Sequence, residues 1–448
     1  MTELVETTRA AASSRKTAGS VAASRPGASP GASIESRDSW IAAGLALGLL
    51  SVSYGSPLLV VVGLKPITED LGTQRQLVAL VSSLTWLGTG LGGVVMGQVA
   101  ERIGIRATVM FGATMIALGL AVSATGNLWA MLAGHTLLVG FLGNGALYPP
   151  LIVYVSRWFD RRRGTALALI SSGQYIAGMG WPTLFEYGIR SPETALRLAG
   201  ETVVMHGWQI TMLAFACLVV VAVPLVAAFL RPAPEVAEFG EFTRDGRRGE
   251  VLGMRPNTVL ALICVAGFLC CVPMSIPQGH LVAFCSDIGL PAVQGAAMLS
   301  VLQGSAFVSR VLWGWLADRI GGLKTVLLGS FCQAVAIAAF MTTQDEAGLF
   351  AIAAAYGFGF SGIIPAYVIA IRELFPSREA SWRVPSVLFV SMGGMAFGGW
   401  WAGALYDEFG FYGPAFVSGV LFNLANLAVV GFLVLRQRRY GGFRPALA

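Results

Sequence analysis

Twelve apolar stretches, each close to the ~20 residues needed to cross a bilayer, alternate with polar breaks along this 448-residue chain. They run at roughly 39 to 63, 77 to 99, 107 to 124, 130 to 154, 165 to 186, 208 to 230, 257 to 285, 293 to 316, 324 to 342, 348 to 371, 384 to 405 and 413 to 435. Hydrocarbon offers no water to the backbone, so a lone segment of this length must satisfy its own N–H and C=O groups as a helix. The sequence therefore predicts an all-α membrane protein with twelve transmembrane helices. Composition agrees, with 55% hydrophobic and only 12% charged residues, about half the charged share of a soluble domain. The 56 glycines suit close helix approach in lipid. Soluble enzymes, collagen-like chains, disulfide scaffolds and disordered chains are excluded. Cys217, Cys264, Cys270, Cys271, Cys285 and Cys332 lie in apolar runs without His or Cys at metal-ligand spacing. They read as packing residues, and no metal or cofactor is expected.

Charge sorts by side. Of 30 basic residues, 25 fall in the two tails and the even-numbered loops, among them Arg102, Arg106, Arg157, Arg161, Arg162, Arg163, Arg319 and Lys324. The odd-numbered loops hold Lys65, Arg75, Arg190 and Arg197, and Arg310 alone lies inside a span. This bias predicts that both termini and the central loop face the cytoplasm of a cell-membrane protein, so the net charge of +6 does not point to nucleic acid. The expected organisation is a disordered cytoplasmic tail over 1–38, a six-helix bundle over 39–230, a cytoplasmic linker over 231–256, a second bundle over 257–436 and a tail over 437–448.

The bundles repeat. Gly97, Glu101, Arg102 and Gly104 after helix 2 match Gly314, Asp318, Arg319 and Gly321 after helix 8, an offset of 217 residues. Gly140, Phe141, Gly145 and Trp158 meet Gly357, Phe358, Gly362 and Phe375 at the same offset. Parallel six-helix repeats are a transporter architecture. The glycines permit a tight turn and close helix approach, and the acids can sit at a helix N-terminus or pair with arginines.

The Gly-x-x-x-Asp/Glu-Arg-x-Gly element, present twice, resembles the cytoplasmic signature of the major facilitator superfamily, and the twelve-helix pattern extends the resemblance over residues 39–436. Gly143, Asn144, Gly145, Tyr148 and Pro149, followed by Trp158, Phe159, Arg162, Arg163, Gly164 and Ala166, are similar to the branch of monocarboxylate transporters and oxalate/formate antiporters. Gln278 and His280 in helix 7, and Arg310 four residues before Gly314, fit the same branch. The resemblance implies two pseudo-symmetric six-helix bundles, alternating access, and ion pairs at Glu101, Arg102, Asp318 and Arg319 that form in one conformation and break in the other. A static loop that only orients the chain is the alternative.

Arg310 lies eight residues before Asp318, about 12 Å along a helix. A charge at that depth costs ~2.5 kcal/mol or more and marks a substrate or ion pathway. No Asp or Glu stands in the central part of any span, Glu186 being at an outer end, so a fixed partner is missing. An incoming carboxylate would supply it through two parallel hydrogen bonds. Tyr54, Asn144, Tyr148, Gln174, Tyr175, Gln278, His280 and Trp401 are candidates for the cavity lining, each equally readable as a helix-packing contact. The resemblance implies that Tyr54 and Tyr148 stand beside Arg310.

The chain departs from those families at Ala306, where symporters carry an acid, and at Leu58, where they carry a lysine. Ser386 to Trp401 lacks the second cation of the antiporters, which favours a substrate with one carboxylate. The expected function is therefore secondary transport of a small organic monocarboxylate by a monomer, with a proton or counter-anion left open as coupling partner. A drug or lipophilic-compound exporter is the alternative, because Gly173 to Pro182 partly resembles a drug-antiporter motif. A membrane enzyme would need an acid/base or metal cluster, and the spans offer only His280 and scattered Cys.

Overall fold

The computed structural model describes residues 35–159, 161–192, 194–198, 201–233 and 250–441. Most of the expected N-terminal tail, most of the linker and the end of the C-terminal tail lie outside them. Eleven helices are long and apolar enough to cross a membrane. They are α1 (Arg37–Val62), α2 (Arg75–Ile103), α3 (Ile105–Ser123), α4 (Leu128–Ser156), α6 (Gly207–Ala227), α7 (Pro256–Asp287), α8 (Ala292–Ile320), α9 (Gly322–Ala339), α10 (Glu346–Leu374), α11 (Trp382–Phe409) and α12 (Gly413–Tyr440). The remaining expected span, α5, is two stacked pieces, Arg163–Ser171 and Gly173–Ile189. Ser172 marks the join, where its hydroxyl donates to the Ala168 carbonyl at 2.8 Å, a back-bond that bends helices. The chain is thus the expected all-α membrane protein of two six-helix bundles. One addition is a short antiparallel hairpin between α5 and α6, Thr194–Leu198 paired with Glu201–Met205.

Local chemistry explains the irregular helices. Pro57 has no N–H to give the Ser53 carbonyl, so the Ser56 hydroxyl serves that oxygen at 2.7 Å, and α1 turns at Tyr54 between two helical pieces. In α4, the π-helical stretch Gly134–Asn144 precedes Pro149 and Pro150. Tyr54 and Tyr148 therefore project from distorted backbone in both helices.

The halves meet along two seams. In one, α5 lies on α8, where a Cβ on Gly178 would stand 2.5 Å from the Gln303 side chain and Thr183 meets Ser300 hydroxyl to hydroxyl at 3.3 Å. In the other, α2 lies on α11, where a Cβ on Gly399 would stand 2.8 Å from Ser83 Oγ. Small residues bring these helices close, which is how packing replaces the hydrophobic effect in lipid. Many large apolar side chains face outward, Val311, Phe229 and Trp129 among them, as a lipid-exposed surface requires.

Candidate functional site

Arg310 reaches the seam from α8, half-buried, with its guanidinium carbon 5.1 Å from the Tyr175 ring centroid in α5. Its charge is felt at the hydroxyls of Tyr54, Tyr148 and Tyr175. Tyr54 packs edge-on against Tyr148 (centroids 5.7 Å apart) and stacks on Trp86 of α2 at 5.8 Å. Tyr175 meets Phe360 of α10 at 6.2 Å. One phenol, Tyr175 of α5, thus lies beside the α8 cation, and Tyr54 and Tyr148 of α1 and α4 pack together within its electrostatic reach. Among the described residues, no carboxylate or carbonyl accepts a hydrogen bond from Arg310. An unpaired guanidinium flanked by hydroxyls is chemically prepared for an anion with an apolar body.

Of the expected lining residues, Tyr54, Tyr148 and Tyr175 form this group. Gln174 adjoins Tyr175 in sequence but is half-buried on a different face of α5. Asn144 is buried in α4 with its Oδ1 unpaired. Gln278 donates to the Met274 carbonyl of its own helix at 3.1 Å, which accounts for one of its polar ends as helix packing. Trp401 stacks on Phe397 of its own helix at 5.8 Å. His280 sits elsewhere: buried, it contacts the Tyr412 hydroxyl through Nδ1 at 2.9 Å and the Gly399 carbonyl through Nε2 at 2.8 Å. Trp86 and Phe360 belong to the cage although nothing in their own segments distinguishes them from ordinary aromatics of a span.

A second cluster, unseen in the sequence, joins the halves at the end opposite the termini. Arg75, only 5% exposed, forms an ion pair with Asp287, also reached by Lys65 Nζ at 3.1 Å. The guanidinium of Arg75 lies 3.7 Å over Tyr406 and donates to the Tyr412 hydroxyl at 3.2 Å. The backbone N–H groups of Arg75 and Gln76, at the start of α2, donate to the Asp407 carboxylate of α11 at 2.9 and 2.8 Å. A helix N-terminus in one half is therefore capped by an acid from the other. Asp287 and Asp407 look like ordinary span-end acids in sequence; they lie 212 and 332 residues from Arg75, and only the tertiary fold brings them together.

The repeated signature is more open than expected. Glu101 pairs with Arg157 of its own half at 3.5 Å on the surface. Arg102 is exposed, Asp318 is exposed and makes no hydrogen bond or ion pair among the described residues, and Arg319 lies 3.8 Å over Trp315. Close helix approach does not account for Gly97 or Gly314, because a side chain there would meet nothing within 4 Å. The turn reading does fit Gly104 and Gly321, with φ of 85° and 86° and ψ of 158° and 161°. A groove of about 520 Å³, lined by Met179, Val301, Val308 and Phe358 among others, is nearly all apolar and lies on the lipid-facing flank of α5, α8 and α10. It suits an acyl chain, not an anion.

Residues 41–381 match the Major Facilitator Superfamily as a family. The "MFS-type transporter pynF" of Aspergillus niger is 24% identical over 380 residues, 83% of each chain. "Monocarboxylate transporter 13" of Bos taurus is 28% identical over 349 residues, 76% of each. Among solved structures, a bacterial homolog of the human lysosomal transporter Spinster, in an inward-facing and unoccupied conformation, superposes with a TM-score of 0.62 at 15% identity, covering 90% of this chain and 96% of that one.

Proposed function

The chain belongs to the major facilitator superfamily and is a multi-pass membrane transporter; within that family we propose that it moves a small organic monocarboxylate across the cell membrane by alternating access. The observation that carries this is Arg310, a cation in the span region near three tyrosines and, among the described residues, without a hydrogen-bond acceptor. A carboxylate entering the cage takes the bidentate contact, and Tyr54, Tyr148 and Tyr175 enclose the organic remainder. The basic bias of the tails and even-numbered loops assigns the termini end to the cytoplasm and the Arg75–Asp287 end to the outside. The proposed units are bundles over 39–230 and 257–436 joined by a cytoplasmic linker. Ion pairs between the halves close the proposed outer end, which supports reading this conformation as one that gives access from the inner side.

The test is a thermal-shift and uptake screen of purified protein against monocarboxylates, dicarboxylates and lipophilic cations. Monocarboxylates should stabilise the wild type. Arg310→Ala should abolish uptake, and Arg310→Lys should weaken affinity roughly 30-fold or more, because an ammonium cannot reproduce the planar fork. Stabilisation by lipophilic cations alone, with Arg310→Ala unaffected, would favour the second reading, an exporter of a lipophilic compound. Two observations support that reading: the aromatic cage, and the similarity to a Paecilomyces divaricatus protein titled "Agnestins efflux protein AgnL12", 21% identical over 338 residues.

A further inference from the structure

Chemistry fixes the direction of each hydrogen bond around His280. A carbonyl only accepts, so His280 Nε2 carries the proton donated to Gly399 O. A guanidinium only donates, so the Tyr412 oxygen accepts from Arg75. The remaining proton of Tyr412 then points at His280 Nδ1, 2.9 Å away, which accepts it. The chain of bonds from Arg75 through Tyr412 and His280 to Gly399 is complete with a neutral imidazole.

We infer that His280 is a proton site that latches the outer end: neutral while that end is closed, and protonated only when it opens. A proton on Nδ1 would oppose the Tyr412 hydroxyl proton, so the hydroxyl would have to turn its O–H out of the bond it now makes. The surrounding charges give an imidazolium no partner. Asp287, on the same helix, is engaged by Arg75 of α2 and by Lys65 beyond α1. Asp407 of α11 is engaged by the two amides that begin α2. Tyr406 of α11 lies under the Arg75 guanidinium, and Tyr412, in the turn before α12, is spent on Arg75 and His280. Every carboxylate in the cluster is taken, and the like charge of Arg75 stands one hydroxyl away from the added proton.

The sign of the pH dependence follows from this exclusion. Only the open end can take the extra proton, so acidification favours opening. One linked proton raises the opening equilibrium by at most about tenfold per pH unit below the ordinary histidine range near 6.5. Between about pH 8 and about pH 5.5 the gain is about tenfold. The inference uses the alternating-access and orientation readings but not the identity of the substrate.

The Arg75 and Gln76 amides report the latch directly, because their hydrogen bonds to Asp407 cross the interface. Hydrogen exchange of the full-length protein in lipid nanodiscs, normalised to intrinsic rates, should rise about tenfold at these two amides from about pH 8 to about pH 5.5. His280→Gln keeps both bonds, its amide nitrogen donating to Gly399 and its oxygen accepting from Tyr412, but cannot titrate. It should hold the protection at both pH values. A pH-independent wild type, or a full response surviving in His280→Gln, overturns the inference. No substrate is present, so failure of the Arg310 reading leaves this experiment unaffected.

Discussion

Asp70 and Asp287 occupy equivalent places in the two halves, separated by the same 217-residue offset that relates the repeated signatures. Their employment differs. Asp70 stays within its half, accepting from Trp208 Nε1 at 2.5 Å and facing His206 Nδ1 at 3.4 Å. Asp287 crosses to the other half and holds Arg75 and Lys65. Arg75 itself has Ala292 as its counterpart, at the start of α8. The duplicated architecture therefore supplies two equivalent acids, and the cations Arg75 and Lys65 of one half turn one of them into an interface residue. At the termini end the described ion pairs, Glu101 with Arg157, Asp38 with Arg231 and Glu379 with Arg383, each remain within one half. Symmetry builds the bundles; the departures from it bias which end is closed.

The sharpest way to break this comparison is to neutralise each acid in turn. Asp287→Asn leaves the buried Arg75 guanidinium without its anion, which costs the closed end about 3 kcal/mol, more than 100-fold in the closed-to-open ratio. Exchange at the Arg75 and Gln76 amides should rise accordingly. Asp70→Asn should lower thermal stability by ~1 kcal/mol through its lost charge-assisted bond and leave those two amides protected. Equal exposure of the amides in both variants would show that the acids are not functionally divided.

Much of this was legible in the sequence for a physical reason. A bilayer imposes one period, about 20 apolar residues, and one charge asymmetry, so span count and repeat follow from counting. Arg310 was conspicuous because a charge in a span is costly, and the tyrosines grouped near it, Tyr54, Tyr148 and Tyr175, were all candidate lining residues. The outer cluster was illegible because each member sits at a span end, where charges are cheap and common. His280 was visible as a polar group in lipid, but its partners, Tyr412 and Gly399, carry no signal at 132 and 119 residues' separation. The break in α5 was hidden because Ser172 looks like any small residue in a span.

The repeated signature allows a finer test, since its glycines divide into two kinds. Gly104 and Gly321 hold a backbone conformation open essentially to glycine alone, so Gly104→Ala or Gly321→Ala should each destabilise by about 1 to 3 kcal/mol. Gly97 and Gly314 lie within helices facing open space, and alanine there should be neutral or stabilising by up to ~1 kcal/mol. Thermal unfolding in lipid nanodiscs separates the pairs. If Gly314→Ala instead slows transport without lowering stability, the open side of that glycine is filled in another conformation, and the close-approach reading applies there.

The smallest effect belongs to Glu101. Its pair with Arg157 is long, exposed and within one half, so Glu101→Gln should change the stability of this conformation by less than about 1 kcal/mol. Asp318→Asn should change it even less, because Asp318 has no partner among the described residues to lose. If these acids act instead in the outward-open state, as the proposed gating role requires, both variants should slow transport while leaving apparent substrate affinity near that of the wild type. The site at Arg310 lies about 12 Å along α8 from Asp318, beyond direct contact with a bound substrate. A drop in affinity with an unchanged rate would place these acids in the binding pathway and erase the distinction between a locked outer end and a signature that works only after the molecule has turned over.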